Sequence, residues 1–430
     1  MKKWIKLSLL ALTACLLLSG CALKTVDELY CLPKRYKTDD NLQSVIDKAM
    51  DGLEYCAPQS GNLQVVQTAD LDGDGVDEYI LLARDDSEKP LKILIFCQLA
   101  SGYVLMDTIE GYGFGFDFVS FQQLDDRPGV EIIVGRLVSE DVVRSVSVYR
   151  FSSGIARHML SAGYSRMVVA DMDADGAFNL FLLNQSTSTT ANGTFSIYAY
   201  QNEQLRRVSE MEISSPATEY KHIAVGMLAD EEPALYVTCG EDDALVTDVF
   251  MAEDDQLHAV ARDVRTQMLG DYYVYPADVD EDGILEIPRL VPMLSYEDQQ
   301  NDLLQWYSLD SQGNEIVERY TYHSYDDNWY LNLDDTPWER MAAVRNGSTC
   351  TFVIWDPEAQ LMQPIFTILS FMDADREELA MQPGRVVLFR SDSVIYAADL
   401  TEFSDTYGMT ATELAARFGT IRMDLIQEED

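Results

Sequence analysis

One short acidic motif recurs along the chain at a nearly constant interval, and this repeat constrains the fold more than any other feature. Three copies carry acids at positions 1, 3 and 5, glycine at position 6, an acid or amide at position 9, and then an apolar strand. They are DLDGDGVDE at 70–78, DMDADGAFN at 171–179 and DVDEDGILE at 278–286. A weaker copy, LDDRPGVE, occupies 124–131. A fixed period of this size is typical of repeat architectures.

The loop glycines give the length of the repeating unit. Gly75, Gly129, Gly176 and Gly283 are separated by 54, 47 and 107 residues, and the last interval is about two periods. A further unit is therefore expected near residue 229, where an apolar strand follows but the acidic pattern is lost.

A second marker, a polar turn between two predicted strands, repeats independently of the first. Its copies are Ser101-Gly102, Ser153-Gly154, Asn202-Glu203, Asp254-Asp255 and Gly313-Asn314. Measured at the second residue of the first four pairs and at Gly313, the steps are 52, 49, 52 and 58 residues. A unit of about 50 residues has room for the four short strands of a propeller blade. We therefore predict a mainly β chain whose residues 61–335 form a β-propeller of five or more blades. The alternative, a β-sandwich, would show no such interval.

The segments on either side of the repeat follow different patterns. Asp39 and Asp40 precede an amphipathic helical pattern that is capped at its start. Its apolar positions are Leu42, Val45, Ile46, Ala49 and Leu53. Residues 336–430 mix four predicted strands (351–355, 365–371, 386–390 and 394–398) with a terminal helix, so they predict a small C-terminal α+β domain or strands that complete the propeller.

The predicted terminal helix starts at a capping box, in which Thr410 and Glu413 satisfy each other's backbone groups. Its apolar side chains recur at helical spacing and predict one buried face. These side chains are Leu414, Phe418, Ile421 and Leu425.

The first 21 residues have the three zones of an export signal. Lys2, Lys3 and Lys6 precede an apolar run over 7–18, and the segment closes with Leu18-Ser-Gly-Cys21. The run is too short to span a bilayer, so residues 1–20 are predicted to be a cleaved signal peptide. The ending resembles a lipobox, which implies diacylation of Cys21, a tether and helix over 21–60, and a lipid-anchored protein outside the cytoplasm. The alternative is an ordinary secretory signal with an incidental cysteine.

The charge balance narrows the classes of partner. The chain has 31 basic and 73 acidic residues, a formal net charge of −42. Such a surface repels phosphate backbones and anionic headgroups, so we expect no nucleic-acid binding and membrane contact only through the lipid anchor. The same surface attracts cations.

The cysteines outside the signal segment do not form a metal-binding pattern, because no CxxC pair occurs. Cys31 and Cys56 flank one short segment and are candidates for a disulfide outside the cell. Cys97, Cys239 and Cys350 are expected to be buried free thiols.

The Asp loops carry the chemistry of a calcium site. Closely spaced carboxylates repel one another unless a cation bridges them, and Ca²⁺ accepts six to eight oxygen ligands. These loops are not EF-hands, because position 12 holds Leu81, Leu182 and Arg289 where an EF-hand needs glutamate. The predicted ligands are Asp70, Asp72, Asp74, Val76, Glu78, Asp171, Asp173, Asp175, Asn179, Asp278, Asp280, Asp282, Ile284 and Glu286, with the valine and isoleucine acting through backbone carbonyls. The alternative is a turn stabilised by its own backbone hydrogen bonds, without metal.

With this spacing, the repeat resembles the FG-GAP or VCBS repeats of integrin-type β-propellers. The resemblance covers residues 61–330, and its motif is specific at three loops, poor at Asp125 and absent near residue 229. It implies blades whose loops bind structural Ca²⁺. Together with the lipobox and the tail from Trp329 to Trp338, the chain is also similar to uncharacterised lipoproteins of Gram-positive bacteria.

No catalytic motif is evident in the sequence. The four histidines (His158, His222, His258 and His323) are isolated, and HExxH, GxSxG, SxxK and P-loop patterns are absent. We therefore predict a lipid-anchored scaffold that binds a protein or a glycan; the alternative is a cell-surface hydrolase of polysaccharide or peptide. An aromatic cluster is a candidate binding surface or a core contact between the repeat and the tail: Tyr320, Tyr322, Tyr325, Trp329 and Tyr330.

Overall fold

A computed structural model describes residues 40–125, 127–138, 144–172, 176, 178–186, 191–241 and 243–421. The predicted signal peptide, Cys21 and Cys31 lie outside these ranges, as do Asp173, Asp175 and residue 177 of the third Asp loop. No helix within the described part of the chain is long and apolar enough to cross a membrane.

The protein is mainly β, and its described strands form six antiparallel sheets. The first sheet contains β1 (Glu54–Tyr55), β2 (Val66–Ala69), β3 (Glu78–Arg84), β4 (Leu91–Leu99) and β5 (Gly102–Gly111). The second contains β6 (Gly115–Gln122), β7 (Glu131–Leu137), β8 (Arg144–Ser152) and β9 (Ile155–Tyr164). The third contains β10 (Arg166–Ala170), β11 (Asn179–Asn184), β12 (Thr194–Gln201) and β13 (Gln204–Glu212).

The remaining strands complete the repeat and add a sixth sheet after it. The fourth sheet contains β14 (Tyr220–Met227), β15 (Pro233–Glu241), β16 (Ala244–Glu253) and β17 (Gln256–Gln267). The fifth contains β18 (Ile287–Pro292), β19 (Asp302–Leu309), β20 (Glu315–Ser324), β21 (Trp329–Asn332) and β27 (Phe418–Thr420). The sixth contains β22 (Met341–Asn346), β23 (Thr349–Asp356), β24 (Leu361–Phe371), β25 (Arg385–Arg390) and β26 (Ile395–Leu400).

The repeating unit has the same order in the first five sheets. A first strand leads into the Asp loop or its equivalent, two strands follow, and the polar turn joins the third strand to the fourth. In the fifth sheet the first strand is reduced to one bridge between Ala277 and Glu286. Both sequence markers therefore lie at fixed points of one structural unit.

The polar turns fold as the sequence predicts, because their residues take left-handed conformations that fit the twist of a hairpin. Asn202 and Glu203 have φ of 52° and 66°, and Asp254 and Asp255 have 50° and 60°. A register shift between the third and fourth strands recurs in all five units. Such bulges increase the local twist of a sheet.

Consecutive sheets pack through alternate side chains of their strands. On β3, Ile80 and Leu82 face the second sheet, whereas Leu81 and Ala83 face helix α1 (Asp40–Ala49). Leu42 of this helix is buried against the first sheet, which confirms the predicted amphipathic helix. Further buried clusters join the second sheet to the third, the third to the fourth, the fourth to the fifth and the fifth to the sixth.

Helices cover the outer faces of the first and sixth sheets. Helix α1 lies on the first sheet, and helix α2 (Arg376–Ala380) places Ala380 against Ile395 and Ala397 of the sixth. None of the buried clusters in the described part of the chain joins the first sheet to the sixth.

The C-terminal helix starts as predicted but ends early. Helix α3 (Ala411–Arg417) has both hydrogen bonds of the Thr410–Glu413 capping box. The predicted continuation through Phe418 is wrong, because Phe418 begins β27, which pairs with β21. Gly419 permits this pairing, since a Cβ there would lie 2.4 Å from the Tyr330 ring, and glycine is also a poor helix former. The tail therefore forms the sixth sheet and adds a strand to the fifth.

Candidate metal centres

The first Asp loop is built around the carboxylate of Asp70. Its Oδ1 accepts hydrogen bonds from the backbone N–H groups of Gly73 at 2.8 Å and Asp74 at 3.1 Å, and its Oδ2 accepts one from Gly75 at 3.0 Å. Gly73 and Gly75 have φ of 76° and 86°, which lets the chain turn tightly around the carboxylate. Asp74 Oδ1 accepts a further hydrogen bond from Val76 N at 2.8 Å.

Glu78 closes this loop from the first position of β3. Its Oε2 accepts a hydrogen bond from Leu71 N at 2.9 Å, and only 3% of the residue is exposed. Burial, together with the negative charges of Asp72, Asp74 and Asp70, raises the pKa of Glu78 to about 7. Carboxylate oxygens of Asp70, Asp72 and Glu78 lie within 4.8 Å of one another. These three acids form a compact, all-oxygen donor set.

The loop over 278–286 repeats this geometry. Asp278 accepts hydrogen bonds from Asp282 N at 3.1 Å and Gly283 N at 2.9 Å, and Glu286 accepts one from Val279 N at 2.9 Å. Burial and the neighbouring aspartates raise the pKa of Glu286 to about 7. Here the oxygens within 4.8 Å of one another belong to Asp278, Asp280 and Asp282.

Several other predicted ligands of these two loops lie outside the groups of closely spaced carboxylates. Asp74 and Glu286 are not in the tight carboxylate groups. The Val76 side chain is 44% exposed, and Ile284 donates its N–H to Asp282 Oδ1 at 2.8 Å. That the carbonyls of Val76 and Ile284 act as ligands remains a prediction.

The third loop is described only in part. Asp171 Oδ2 accepts a hydrogen bond from Gly176 N at 3.0 Å, and Asp171 Oδ1 is buried and accepts no hydrogen bond from the described residues around it. Asn179 begins β11 and is half-buried. A buried carboxylate oxygen without a donor is the environment in which a bound cation relieves an unsatisfied charge.

In the second loop, an arginine side chain neutralises the buried acids. Glu131 accepts a hydrogen bond from Leu124 N at 2.8 Å, just as Glu78 does from Leu71. Arg150 Nη1 on β8 then donates to Asp125 Oδ2 at 2.6 Å and to Glu131 Oε1 at 2.8 Å. Since both carboxylates are almost fully buried, this guanidinium supplies their counter-charge.

The strand register explains why the arginine lies there and why the other loops lack it. Ile132 pairs with Tyr149, and Arg150 is the next residue along β8. In the first unit Tyr79 pairs with Phe96, so Cys97 holds the equivalent position. In the fifth unit Ile287 pairs with Tyr307, so Ser308 holds it. The two loops that keep three aspartates therefore face a neutral side chain at the position that carries an arginine in the second.

The donor set of the two acid-rich loops suits a hard cation. All the grouped atoms are carboxylate oxygens, the ligands that Ca²⁺ and Mg²⁺ prefer. Burial raises the pKa of the nearby Cys97 thiol to about 12, so it stays protonated and is a poor ligand for soft metals. Groups of three or more His, Cys, Asp or Glu that could hold an ion occur, among the described residues, only in these two loops.

The fourth loop has no such chemistry. Leu228 N donates to Glu232 O at 2.8 Å, so a backbone turn closes the connection. Asp230 is directed to the neighbouring unit, where it accepts a hydrogen bond from Ser311 Oγ at 2.6 Å.

The other candidate residues predicted from the sequence lie in the core, on separate strands or in one pocket. Cys56, Cys97, Cys239 and Cys350 are buried free thiols, and the proposed partner of Cys56 lies outside the described residues. The four histidines lie on four different strands, β9, β14, β17 and β20. Within the aromatic cluster, Tyr322 and Trp329 are core residues, whereas Tyr325 and Tyr330 line a pocket.

Two features of the sites escaped the sequence reasoning. Arg150 lies 19 residues from Glu131, and only the strand pairing brings the two together. The pocket on the fifth sheet combines residues from the Asp loop, β20 and β27. Aligning the units on position 9 of the loop would have drawn attention to Arg150, because its repeat equivalents are uncharged.

Comparisons with known proteins give a distant likeness. No family model matches the chain, and no curated protein matches it. Among solved structures, the exotype rhamnogalacturonan lyase YesX is similar at 13% identity with a TM-score of 0.29. The match covers 73% of this chain and 65% of the lyase, so it spans just under two thirds of that protein.

Proposed function

We propose that this chain is an extracytoplasmic binding scaffold, anchored through Cys21, in which structural Ca²⁺ stabilises the loops over 70–78 and 278–286. The observation that carries the calcium assignment is the contrast between loops. Where positions 1 and 5 are Gln123 and Arg127, Arg150 neutralises the buried acids. Where they are aspartates, no basic side chain takes its place at that register, although Arg319 of β20 reaches Asp280 at 3.1 Å in the loop over 278–286; the contrast is therefore strongest for the loop over 70–78.

The ion's role in this proposal is structural. Each loop joins the first and second strands of one unit, so a bound cation fixes that connection. The first loop also interlocks with the second, because a Cβ on Gly73 would lie 2.5 Å from Pro128 Cβ. Ordering loop 70–78 therefore stabilises the packing of two neighbouring sheets.

We propose further that the units are blades of propeller type. Supporting this are the period of about 50 residues, the shared strand order and the successive packing of sheet on sheet. Helices α1 and α2 cover the faces that a closed ring would join, so we propose an array capped by helices at both ends. The sixth sheet then acts as a further blade.

The test of the calcium assignment is thermal unfolding of the exported chain in EDTA, and after addition of Ca²⁺ or Mg²⁺. A site saturated at one hundred times its Kd contributes about 2.7 kcal/mol, so the melting temperature should rise with Ca²⁺ in a concentration-dependent way. Asp72→Asn and Asp280→Asn should each reduce this rise. Asp86→Asn, which removes the same charge from an exposed turn, should not.

An unchanged melting temperature in EDTA would refute the calcium assignment. An equal response of Asp72→Asn and Asp86→Asn would also refute it, because the effect would then come from general charge screening.

A further inference from the structure

The fifth sheet holds a cavity of about 110 Å³ between the loop over 278–286, strand β20 and strand β27. Its lining includes the aromatic residues Trp306, His323, Tyr325 and Tyr330 and the polar residues Asp278, Glu281, Arg319 and Thr321. Sites for drug-sized ligands occupy about 300–1,000 Å³. This cavity is therefore matched to a single small ring.

One wall of the cavity is a continuous stack of rings. His323 stacks on Tyr325 and on Tyr330, with centroids 5.5 Å apart in each pair, and Tyr272, which lies outside the cavity lining, stacks on Tyr325 at 4.7 Å. These separations leave no gap for another flat ring between them. A ligand must therefore lie against the stack rather than intercalate into it.

A chain of hydrogen bonds orients the imidazole of His323. Trp306 Nε1 donates to Thr321 Oγ1 at 2.7 Å, and Thr321 Oγ1 lies 2.9 Å from His323 Nε2. If the threonine hydroxyl donates to Nε2, the proton of the neutral imidazole resides on Nδ1. His323 Nδ1 is buried and has no hydrogen-bond partner. Burial lowers the pKa of His323 to about 3, so the ring stays neutral at physiological pH.

Charged groups of both signs complete the lining. Arg319 Nη2 donates to Asp280 Oδ2 at 3.1 Å and Nη1 donates to Val279 O at 3.2 Å, so the guanidinium is fixed against the loop. Its buried Nε makes no hydrogen bond and lies 3.7 Å from Asp334 Oδ2. The lining thus offers unpaired N–H donors beside a stack of apolar rings.

We propose that this pocket binds one sugar ring of a glycan, an inference that rests on the proposed binding role and names its ligand class. A pyranose has C–H groups that pack against the stacked rings, and ring and hydroxyl oxygens that accept hydrogen bonds from the unpaired N–H groups of His323 and Arg319. A hydrocarbon of the same size would leave the buried N–H donors without partners.

The experiment is saturation-transfer NMR with the exported chain, using D-glucose, D-galactose, D-mannose, N-acetyl-D-glucosamine and D-glucuronic acid as probes and adenosine as a flat heteroaromatic control. We expect saturable transfer to at least one sugar and none to adenosine. The change in tryptophan fluorescence on titration should give the same dissociation constant and should be lost in Trp306→Phe.

His323→Ala and Tyr325→Ala should weaken binding of that sugar at least tenfold. The matched controls His158→Ala, on β9, and Tyr112→Ala, whose ring is largely exposed, should leave it unchanged. Circular dichroism verifies that each variant is folded; Thr321→Val, which removes only the hydroxyl, serves if His323→Ala does not fold. It should also weaken binding.

The proposal is overturned if no probe sugar gives transfer, if the pocket variants bind as the controls do, or if adenosine binds in preference. If the parent protein shows a calcium-dependent melting temperature but binds none of the probe sugars, the pocket proposal alone is refuted. A missing calcium response with intact sugar binding refutes only the metal assignment.

Discussion

The loops over 70–78 and 123–131 share a backbone hydrogen-bonding pattern but differ in how their acidic side chains are neutralised. In each, a buried glutamate at position 9 accepts a hydrogen bond from the backbone N–H at position 2, at 2.9 Å for Glu78 and 2.8 Å for Glu131. Each also keeps an aspartate at position 3, Asp72 or Asp125. Only the second loop places a guanidinium between these two acids.

This difference separates the role of the loop from the role of the charge within it. The shared hydrogen-bonding pattern closes a turn between two strands, whether or not the loop contains a basic side chain. In the first loop Glu78 is buried and Asp72 beside it is exposed, whereas in the second both acids are buried. A buried carboxylate needs a positive partner, since an unpaired buried charge costs several kcal/mol. The second loop obtains it from its own chain, and the first has a site that an external cation fits.

Removing the guanidinium of Arg150 should have the largest effect on stability. Arg150→Met leaves Glu131 buried without a counter-charge and leaves Asp125 with only Arg127 Nε, 3.7 Å from its Oδ2. We expect a loss of about 3–5 kcal/mol in the free energy of unfolding, measured with denaturant at pH 7. Arg265→Met breaks two exposed ion pairs and should cost less than about 1 kcal/mol. Equal losses in the two variants would remove the basis of the comparison.

An arginine should be able to replace the bound cation in the first loop. Cys97→Arg places a guanidinium at the register that Arg150 occupies, so we expect calcium to stabilise this variant by about 1–3 kcal/mol less than it stabilises the parent. Cys97→Ser is the matched control and should keep the full response. The measurement is the difference in unfolding free energy with Ca²⁺ and with EDTA; an undiminished calcium response in Cys97→Arg would contradict the equivalence of the two positions.

The ion-free loops should make stability depend on pH. Glu78 and Glu286 have folded-state pKa values of about 7, raised above their usual value of 4.5 mainly by burial. The folded state therefore holds these protons more tightly, and its stability in EDTA should fall as pH rises from about 4.5 through 7. The expected loss, after discounting for solvent screening, is on the order of 1 kcal/mol per group.

Glu78→Gln supplies the control for this pH dependence, because it keeps a hydrogen-bonding side chain without the titration. Its stability in EDTA should vary less with pH than that of the parent. A pH profile identical to the parent's would show that Glu78 does not contribute.

The smallest effect is expected in the fourth loop. Asp230→Asn weakens contacts with Ser311 at the surface and should change stability by less than about 1 kcal/mol. The calcium-induced rise in melting temperature should be the same as in the parent protein. A reduced calcium response would mean that this loop also takes part in ion binding.

The repeat and its markers were predictable because they depend on local physics. Acid spacing, loop glycines and left-handed turns such as Asn202-Glu203 are encoded by adjacent residues, and the first helix follows its own apolar period. The boundaries of the five units could therefore be taken from periodicity alone.

Features that depend on pairing between distant segments could not be predicted in this way. Arg150 meets Glu131 only through the register of β7 and β8. Phe418 fits the helical period after Leu414, yet strand pairing with β21 overrides it. The pocket around His323 likewise needs β27, whose position beside β21 leaves no trace in local spacing.

Strand β27 has a consequence for the order in which the chain acquires its structure. Each of the first four sheets consists of contiguous residues, so each can form as soon as its own segment has emerged from the ribosome. The fifth cannot be completed until Phe418–Thr420 return to β21, about 90 residues away, and closing so long a loop is entropically slow. Folding should therefore proceed from the N-terminal sheets onward, with completion of the fifth sheet as the last step. The intermediate in which β27 has not yet paired with β21 should be the one most prone to aggregation.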